Sequence, residues 1–212
     1  MYILSAILPS SSDERVLLRL SPTDGGEDTT LTVKVSELAR CSLKKGAEIS
    51  EELYGELCRG AETDGAIRKG LSILGYGINS AARLEEKLRH HGYSQSVARA
   101  AVAELEEKGY IDERSDALRL CDSMISKKYG RRKILMALRS RGYKGDALRA
   151  ADDFLSDTDF SLVCESFLRA KVKKLPDSPS EMKKLLAKLT ALGYNVSEVK
   201  AALQRITSQG QK

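Results

Sequence analysis

Eight cations fall within residues 127–144: Lys127, Lys128, Arg131, Arg132, Lys133, Arg139, Arg141 and Lys144. No acidic residue interrupts them. Such a segment carries a local positive field that attracts phosphates or an acidic protein surface. A second cluster holds Arg169, Lys171, Lys173, Lys174, Lys183, Lys184 and Lys188, broken by Asp177 and Glu181. Aromatic residues are scarce among these charges, so base stacking is not the expected mode of contact. The other chemistry-bearing residues offer less. His90 and His91 are the only histidines and are adjacent, so they cannot face one metal from neighbouring helix positions. Cys41, Cys58, Cys121 and Cys164 form no CxxC pair, and a metal-free chain with reduced thiols is expected. No phosphate loop, dinucleotide fingerprint, zinc-protease or nucleophile-elbow motif is present. The acidic pair Asp152-Asp153 reads as helix surface. The sequence therefore points to a non-enzyme without a cofactor, whose work is binding.

The charge is unevenly placed. Residues 1–60 hold 7 basic and 10 acidic residues, whereas residues 61–212 hold 28 and 20. The C-terminal half is thus the part suited to a polyanionic or acidic partner. The chain has 212 residues, 31% charged and 5% aromatic, with four prolines and no Trp. That composition fits a soluble helical protein better than a β-sandwich. No apolar run approaches the roughly 18 residues of a membrane span. The apolar start, Met1 to Pro9, is short and lacks a basic flank, so it reads as a strand and not a signal peptide. A cytoplasmic monomer is the expectation.

The elements that position these charges can be read from periodicity. Tyr2–Leu8, Arg15–Leu20 and Thr30–Val35 are short strand-like runs separated by turn residues, which predicts a small N-terminal antiparallel sheet. Ser50 is a helix N-cap and Gly60 is expected to end that helix. Beyond it, Leu84 to Tyr93, Ile134 to Tyr143 and Leu185 to Tyr194 align without gaps. Each has two apolar residues four apart and then Gly-Tyr, the glycine standing where a helix C-cap turns left-handed. Downstream, Ala98, Ala101 and Leu105 match Leu148, Ala151 and Leu155, and then Val199, Ala202 and Ile206. Upstream, Ala117, Cys121 and Met124 match Phe160, Cys164 and Phe167. Tyr93, Tyr143 and Tyr194 read as turn seals, and Cys121 and Cys164 as core.

The predicted fold is mostly α: three tandem three-helix repeats in an elongated array after a small β segment. The expected segments are 1–60, a β-rich piece with one helix, and then repeats at 61–109, 110–156 and 157–212. Ser80, Ser94, Asn195 and the Ser178-Pro179-Ser180-Glu181 capping box mark helix starts.

Three such repeats, with the Leu105-Glu106-Glu107-Lys108-Gly109-Tyr110-Ile111-Asp112-Glu113 junction and the Arg131-Arg132-Lys133-Ile134 helix opening, resemble the RecX family over roughly residues 62–208. The family comprises bacterial regulators of the RecA recombinase. The resemblance implies binding along the RecA–DNA filament and inhibition of its ATPase and strand exchange, with effects on recombination, repair and the SOS response. Single- or double-stranded DNA, reached through its phosphate backbone, is a second implied partner. Tyr76-Gly77-Ile78-Asn79-Ser80 departs from the family in carrying no basic residue, so the first repeat is expected to contribute less to binding. The N-terminal β segment is not shared by every relative.

Two other readings compete: a helix-turn-helix DNA-binding protein and a helical interaction scaffold. The third helices weigh against the former. They carry Arg99, Glu104, Glu106, Glu107 and Lys108, then Asp146, Arg149, Asp152 and Asp153, then Glu198, Lys200 and Arg205. Two of the three are net acidic, which does not suit a helix facing phosphates.

Overall fold

The structure is a computed structural model that describes residues 1–172, 175, 176 and 178–209. It divides into two units, one formed by Met1–Gly77 with Leu84–Tyr110, the other by Ile78–Arg83 with the chain from Ile111 onward. Among the described residues it is mostly helical, with one antiparallel sheet.

In the first unit, β1 (Tyr2–Pro9), β2 (Arg15–Pro22), β3 (Thr29–Lys34) and β4 (Glu48–Ile49) pair in the order β3-β2-β1-β4. Pairing of β1 with β2 shifts register between Leu4 and Ala6, a bulge that lets Leu4 oppose Leu20 and Ile7 oppose Leu18. Leu4, Leu18, Leu20, Val33 and Ile49 are buried in one cluster with Leu43 and with Leu57 of the first long helix. A sheet this small needs that second layer to be stable. The three expected strands are present; β4 and the short helix α1 (Val35–Arg40) were not legible in the sequence.

The helix begun at Ser50 does not end at Gly60. Ser50 Oγ accepts from the Leu53 N–H at 3.2 Å, and α2 then runs from Glu51 to Gly75. The segment boundary expected at residue 60 thus lies inside a helix, and residues 1–60 hold α1 as well as the start of α2. A glycine inside a helix costs only about 1 kcal/mol against alanine, so Gly60 alone does not stop α2. A Cβ there would come within 2.8 Å of a Glu37 carboxylate oxygen, the movable end of a side chain. At Gly70 the space is truly tight, a Cβ lying 2.7 Å from Cδ1 of the buried Leu105, where α2 packs on α4 (Gln95–Glu107). Between them in sequence, α3 (Ala81–His90) buries Leu84 and Leu88.

An ion network joins the sheet to these helices. Asp64 of α2 is 4% exposed and accepts two hydrogen bonds from Arg15 of β2, at 2.7 and 2.9 Å. Lys34 of β3 lies 3.1 Å from Glu104 of α4, which also meets Lys108 at 2.6 Å. The Arg15 hydrogen bonds hold the Asp64 carboxyl below the usual carboxylate range despite its burial.

The second unit contains α5 (Glu113–Ser126), α6 (Arg131–Ser140), α7 (Gly145–Ser156), α8 (Phe160–Lys171), α9 (Pro179–Ala191) and α10 (Val196–Gln209). Helix α5 packs on α7, and α8 on α10. Ala117, Cys121, Met124, Phe160, Cys164 and Phe167, aligned in the sequence, share one buried cluster. Burial pushes the Cys121 and Cys164 thiols up to about 11, which suits core residues and not nucleophiles. Asn195 and Glu198 cap each other reciprocally, Glu198 N–H donating to Asn195 Oδ1 at 2.9 Å and Asn195 N–H to Glu198 Oε2 at 2.8 Å.

The Gly-Tyr turns share one geometry. The N–H groups of Tyr93, Tyr143 and Tyr194 donate to the carbonyls of Leu88, Leu138 and Leu189 at 3.3, 3.2 and 3.2 Å. The preceding Gly92, Gly142 and Gly193 have φ of +93°, +87° and +97°. Tyr143 and Tyr194 are buried, and Tyr93 is half-buried.

The surroundings of these glycines differ, which yields a test. A Cβ on Gly193 would lie 2.5 Å from the Lys133 backbone nitrogen, whereas one on Gly92 meets nothing within 4 Å. Gly193→Ala is expected to cost about 2–3 kcal/mol, because left-handed strain adds to a backbone clash. Gly92→Ala is expected to cost about 1 kcal/mol, from strain alone. Urea midpoints of the two variants check this. Equal losses would show that the close α6–α9 approach is not rigid.

Candidate partner-binding surface

The cations of 127–144 follow the chain from the end of α5, along α6, to the start of α7. Lys127 is the C-cap residue of α5, and Lys128 turns left-handed with φ of 62°. That turn is held from behind, since the Lys128 carbonyl accepts the Tyr194 hydroxyl at 2.7 Å. Gly130 then seats the start of α6. Its N–H donates to the Leu192 carbonyl at 2.8 Å, and Arg132 N–H donates to the Gly193 carbonyl at 3.2 Å. A Cβ on Gly130 would lie 2.4 Å from the Gly193 carbonyl carbon, so only glycine permits this approach. The far end of α6 is fixed in the same way. Ser80 Oγ–H donates to the Arg141 carbonyl at 2.5 Å, and Ser80 Oγ itself accepts from the Arg83 N–H at 3.2 Å. Both termini of α6 are thus anchored through backbone groups, and Arg132 and Arg139 face outward from it.

The eight cations are not equivalent. Arg131 donates to Asp152 Oδ1 and to Ser156 Oγ, both at 2.9 Å, which binds it to α7. Lys133 Nζ sits 4.4 Å from the centre of the Tyr129 ring, within cation–π range. Lys127, Arg132, Arg139, Arg141 and Lys144 are exposed. Among the described residues none of those five forms an ion pair, so their charge faces solvent. Arg132 stands in the first turn of α6, where the helix dipole disfavours a cation, and no acid offsets it there. Arg139, in the last turn, is placed where the dipole favours it.

In the second cluster, Lys171 ends α8, and Lys183 and Lys184 are exposed on α9. Lys173 and Lys174 lie outside the described residues. Arg169 bridges to Glu165 at 2.8 Å, and Lys188 lies 5.7 Å from the Phe167 ring centre. Two features were missed in the sequence: the Arg131–Asp152 pair, and Met136, which is 63% exposed among the cations of α6. Met136 was detectable, being off the Ile134/Leu138 stripe. Among the described residues no group of three or more His, Cys, Asp and Glu side chains could hold a metal. No described helix is long and apolar enough to cross a membrane.

No family model matches the chain. It is 29% identical over 147 residues to the regulatory protein RecX of Chlorobaculum tepidum, covering 68% of this chain and 89% of that one. Over 161 residues it is 22% identical to the regulatory protein RecX of Caldanaerobacter subterraneus subsp. tengcongensis, covering 76% and 80%. A crystal structure of a regulatory protein RecX superposes with a TM-score of 0.75 at 19% identity, covering 96% of this chain and 100% of that one. A crystal structure of RecX from Lactobacillus salivarius superposes with a TM-score of 0.56 at 17% identity, over 69% of this chain.

Proposed function

We propose that this chain, similar in sequence and fold to RecX proteins, is a regulatory protein that binds the RecA recombinase or its DNA filament. In this reading it lowers the filament's ATPase and strand exchange and so restrains recombination, repair and the SOS response. It does so in the cytoplasm, as a monomer, by contact and not by catalysis. The observation that supports the reading is the acid-free cationic segment from Lys127 to Lys144, whose central helix is anchored at both ends. The contact surface comprises Lys127, Lys128, Arg131, Arg132, Lys133, Arg139, Arg141 and Lys144, with the outward Arg132, Arg139 and Arg141 carrying most of it, and Lys171, Lys173, Lys174, Lys183 and Lys184 extend it. DNA enters as a secondary partner through its backbone phosphates. A protein filament on single-stranded DNA offers backbone phosphates together with protein carboxylates, the two chemistries that such a surface suits.

The test is sedimentation. Cognate recombinase filaments are assembled on single-stranded DNA with a slowly hydrolysed ATP analogue, mixed with the purified protein, and pelleted. The protein is expected in the pellet with the filaments, and in the supernatant with DNA alone at 150 mM salt. Its absence from the filament pellet at micromolar concentrations would contradict the reading.

A further inference from the structure

We propose that the outward face of α6, formed by Arg132, Met136 and Arg139, docks on protein and not on DNA phosphates, and that its partner is an acidic surface with an apolar recess that takes the Met136 side chain. The inference rests on the RecX reading and narrows it. Helix geometry makes the patch. Positions i, i+4 and i+7 fall on one side of a helix, and here they lie opposite the buried Ile134 and Leu138. The side chain of Met136 therefore stands in solvent between two guanidiniums, one roughly a turn away on either side.

The fold does not require a methionine at this place. The aligned positions are Ala82, Glu86 and Arg89 on α3, and Lys183, Ala187 and Thr190 on α9. Neither set puts a large apolar residue between two arginines. Nor does packing explain it, since Met136 is 63% exposed.

The charges define the occupant. α6 carries no acidic residue, and neither Arg132 nor Arg139 forms an ion pair among the described residues. Two forked donors with no local counter-charge suit carboxylates or phosphates alike. Met136 separates those alternatives. A phosphate backbone offers nothing to a thioether, whereas an apolar recess in a protein gains from burying it, and methionine adapts to irregular recesses. No exposed aromatic residue lies on α6 for base stacking. An acidic protein surface satisfies both the arginines and the methionine.

The test compares full-length wild-type protein, Met136→Gln, Met136→Leu and Arg132→Ala/Arg139→Ala on two probes. One probe is the cognate recombinase filament on a labelled single-stranded oligonucleotide, and the other is the same oligonucleotide alone. Glutamine and leucine are both good helix formers, so α6 should persist, and circular dichroism melts verify it. Met136→Gln is expected to weaken filament binding about tenfold by losing the buried apolar contact. Leucine should restore binding to within about twofold, since it replaces the apolar volume. Neither Met136 variant should alter binding to the bare oligonucleotide. Wild-type binding to filaments with an unchanged Met136→Gln affinity would overturn this inference and leave the RecX reading standing. Equal losses on both probes for the double-arginine variant would also overturn it, by showing a phosphate surface. Failure of the wild-type protein to bind filaments would overturn the RecX reading itself.

Discussion

Asp64→Ala should destabilise the first unit by about 3–5 kcal/mol, the range for breaking a buried ion pair from one side. Asp64 is 4% exposed, and its carboxylate meets Arg15 through two hydrogen bonds, with Arg68 at 3.4 Å and Lys34 at 3.9 Å. Removing it leaves the Arg15 guanidinium, only 17% exposed, without its partner between sheet and helix. Asp64→Asn keeps the shape and should recover little, because the cations still lose their counter-charge. The pH dependence has a definite sign. The folded-state pKa of Asp64 is depressed, chiefly by the Arg15 hydrogen bonds, so the carboxylate contributes stability above the unfolded value near 4. That contribution is lost as the pH falls through the lowered folded value. The gap between wild type and Asp64→Asn should therefore be widest near neutrality and narrow in acid. Hydrogen exchange of the β1–β3 peptides at pH 7 measures it. Protection unchanged by Asp64→Ala would show that the sheet is held by its apolar face alone.

Reversing three exposed charges together, Arg132→Glu, Arg139→Glu and Arg141→Glu, should lower filament affinity at least ~100-fold, through lost pairs, new repulsion and slower encounter. Stability should barely move. Surface substitutions of this kind usually stay within about 0.5 kcal/mol each, and here the dipole terms oppose one another. Glutamate at 132 is favoured in the first turn of α6, and glutamate at 139 is disfavoured in the last. Arg131→Ala separates the two roles further. It breaks the exposed bridge to Asp152, so it should cost no more than about 1 kcal/mol of stability, and it should reduce filament binding far less. Sedimentation with thermal melts checks both. A triple variant that melts normally and still pellets with filaments would remove the cluster from the site.

What could be read from sequence was what repeats locally. The i, i+4 apolar pairs followed by Gly-Tyr located the ends of α3, α6 and α9, because one residue type supplies the left-handed cap and its neighbours supply the helix face. The exposed cations were equally legible, since eight charges without an acid cannot all be buried. What was not legible depends on residues distant in sequence. Gly60 and Gly92 look alike in the chain, yet one sits within α2 against Glu37 and the other caps α3 in open space. Nothing near Asp64 announces that Arg15 will reach it, and nothing near Arg131 names Asp152. The strand β4 is two residues long and exists only because β1 offers it an edge. Within the cationic segment, composition weighted all eight residues equally, whereas packing turns Arg131 and Lys133 toward Asp152 and Tyr129 and leaves Arg132, Arg139 and Arg141 outward.

Regulation of the recombinase through this cationic surface should be visible in its ATP hydrolysis. Cognate RecA is assembled on single-stranded DNA and its steady-state hydrolysis is followed as the protein is titrated from well below to above the recombinase concentration. Wild-type protein is expected to lower the rate in a saturable way, and the Arg132→Glu/Arg139→Glu/Arg141→Glu variant to leave it near the uninhibited value over the same range. Hydrolysis that does not change at any concentration of wild-type protein would show that the protein does not regulate the recombinase in this way.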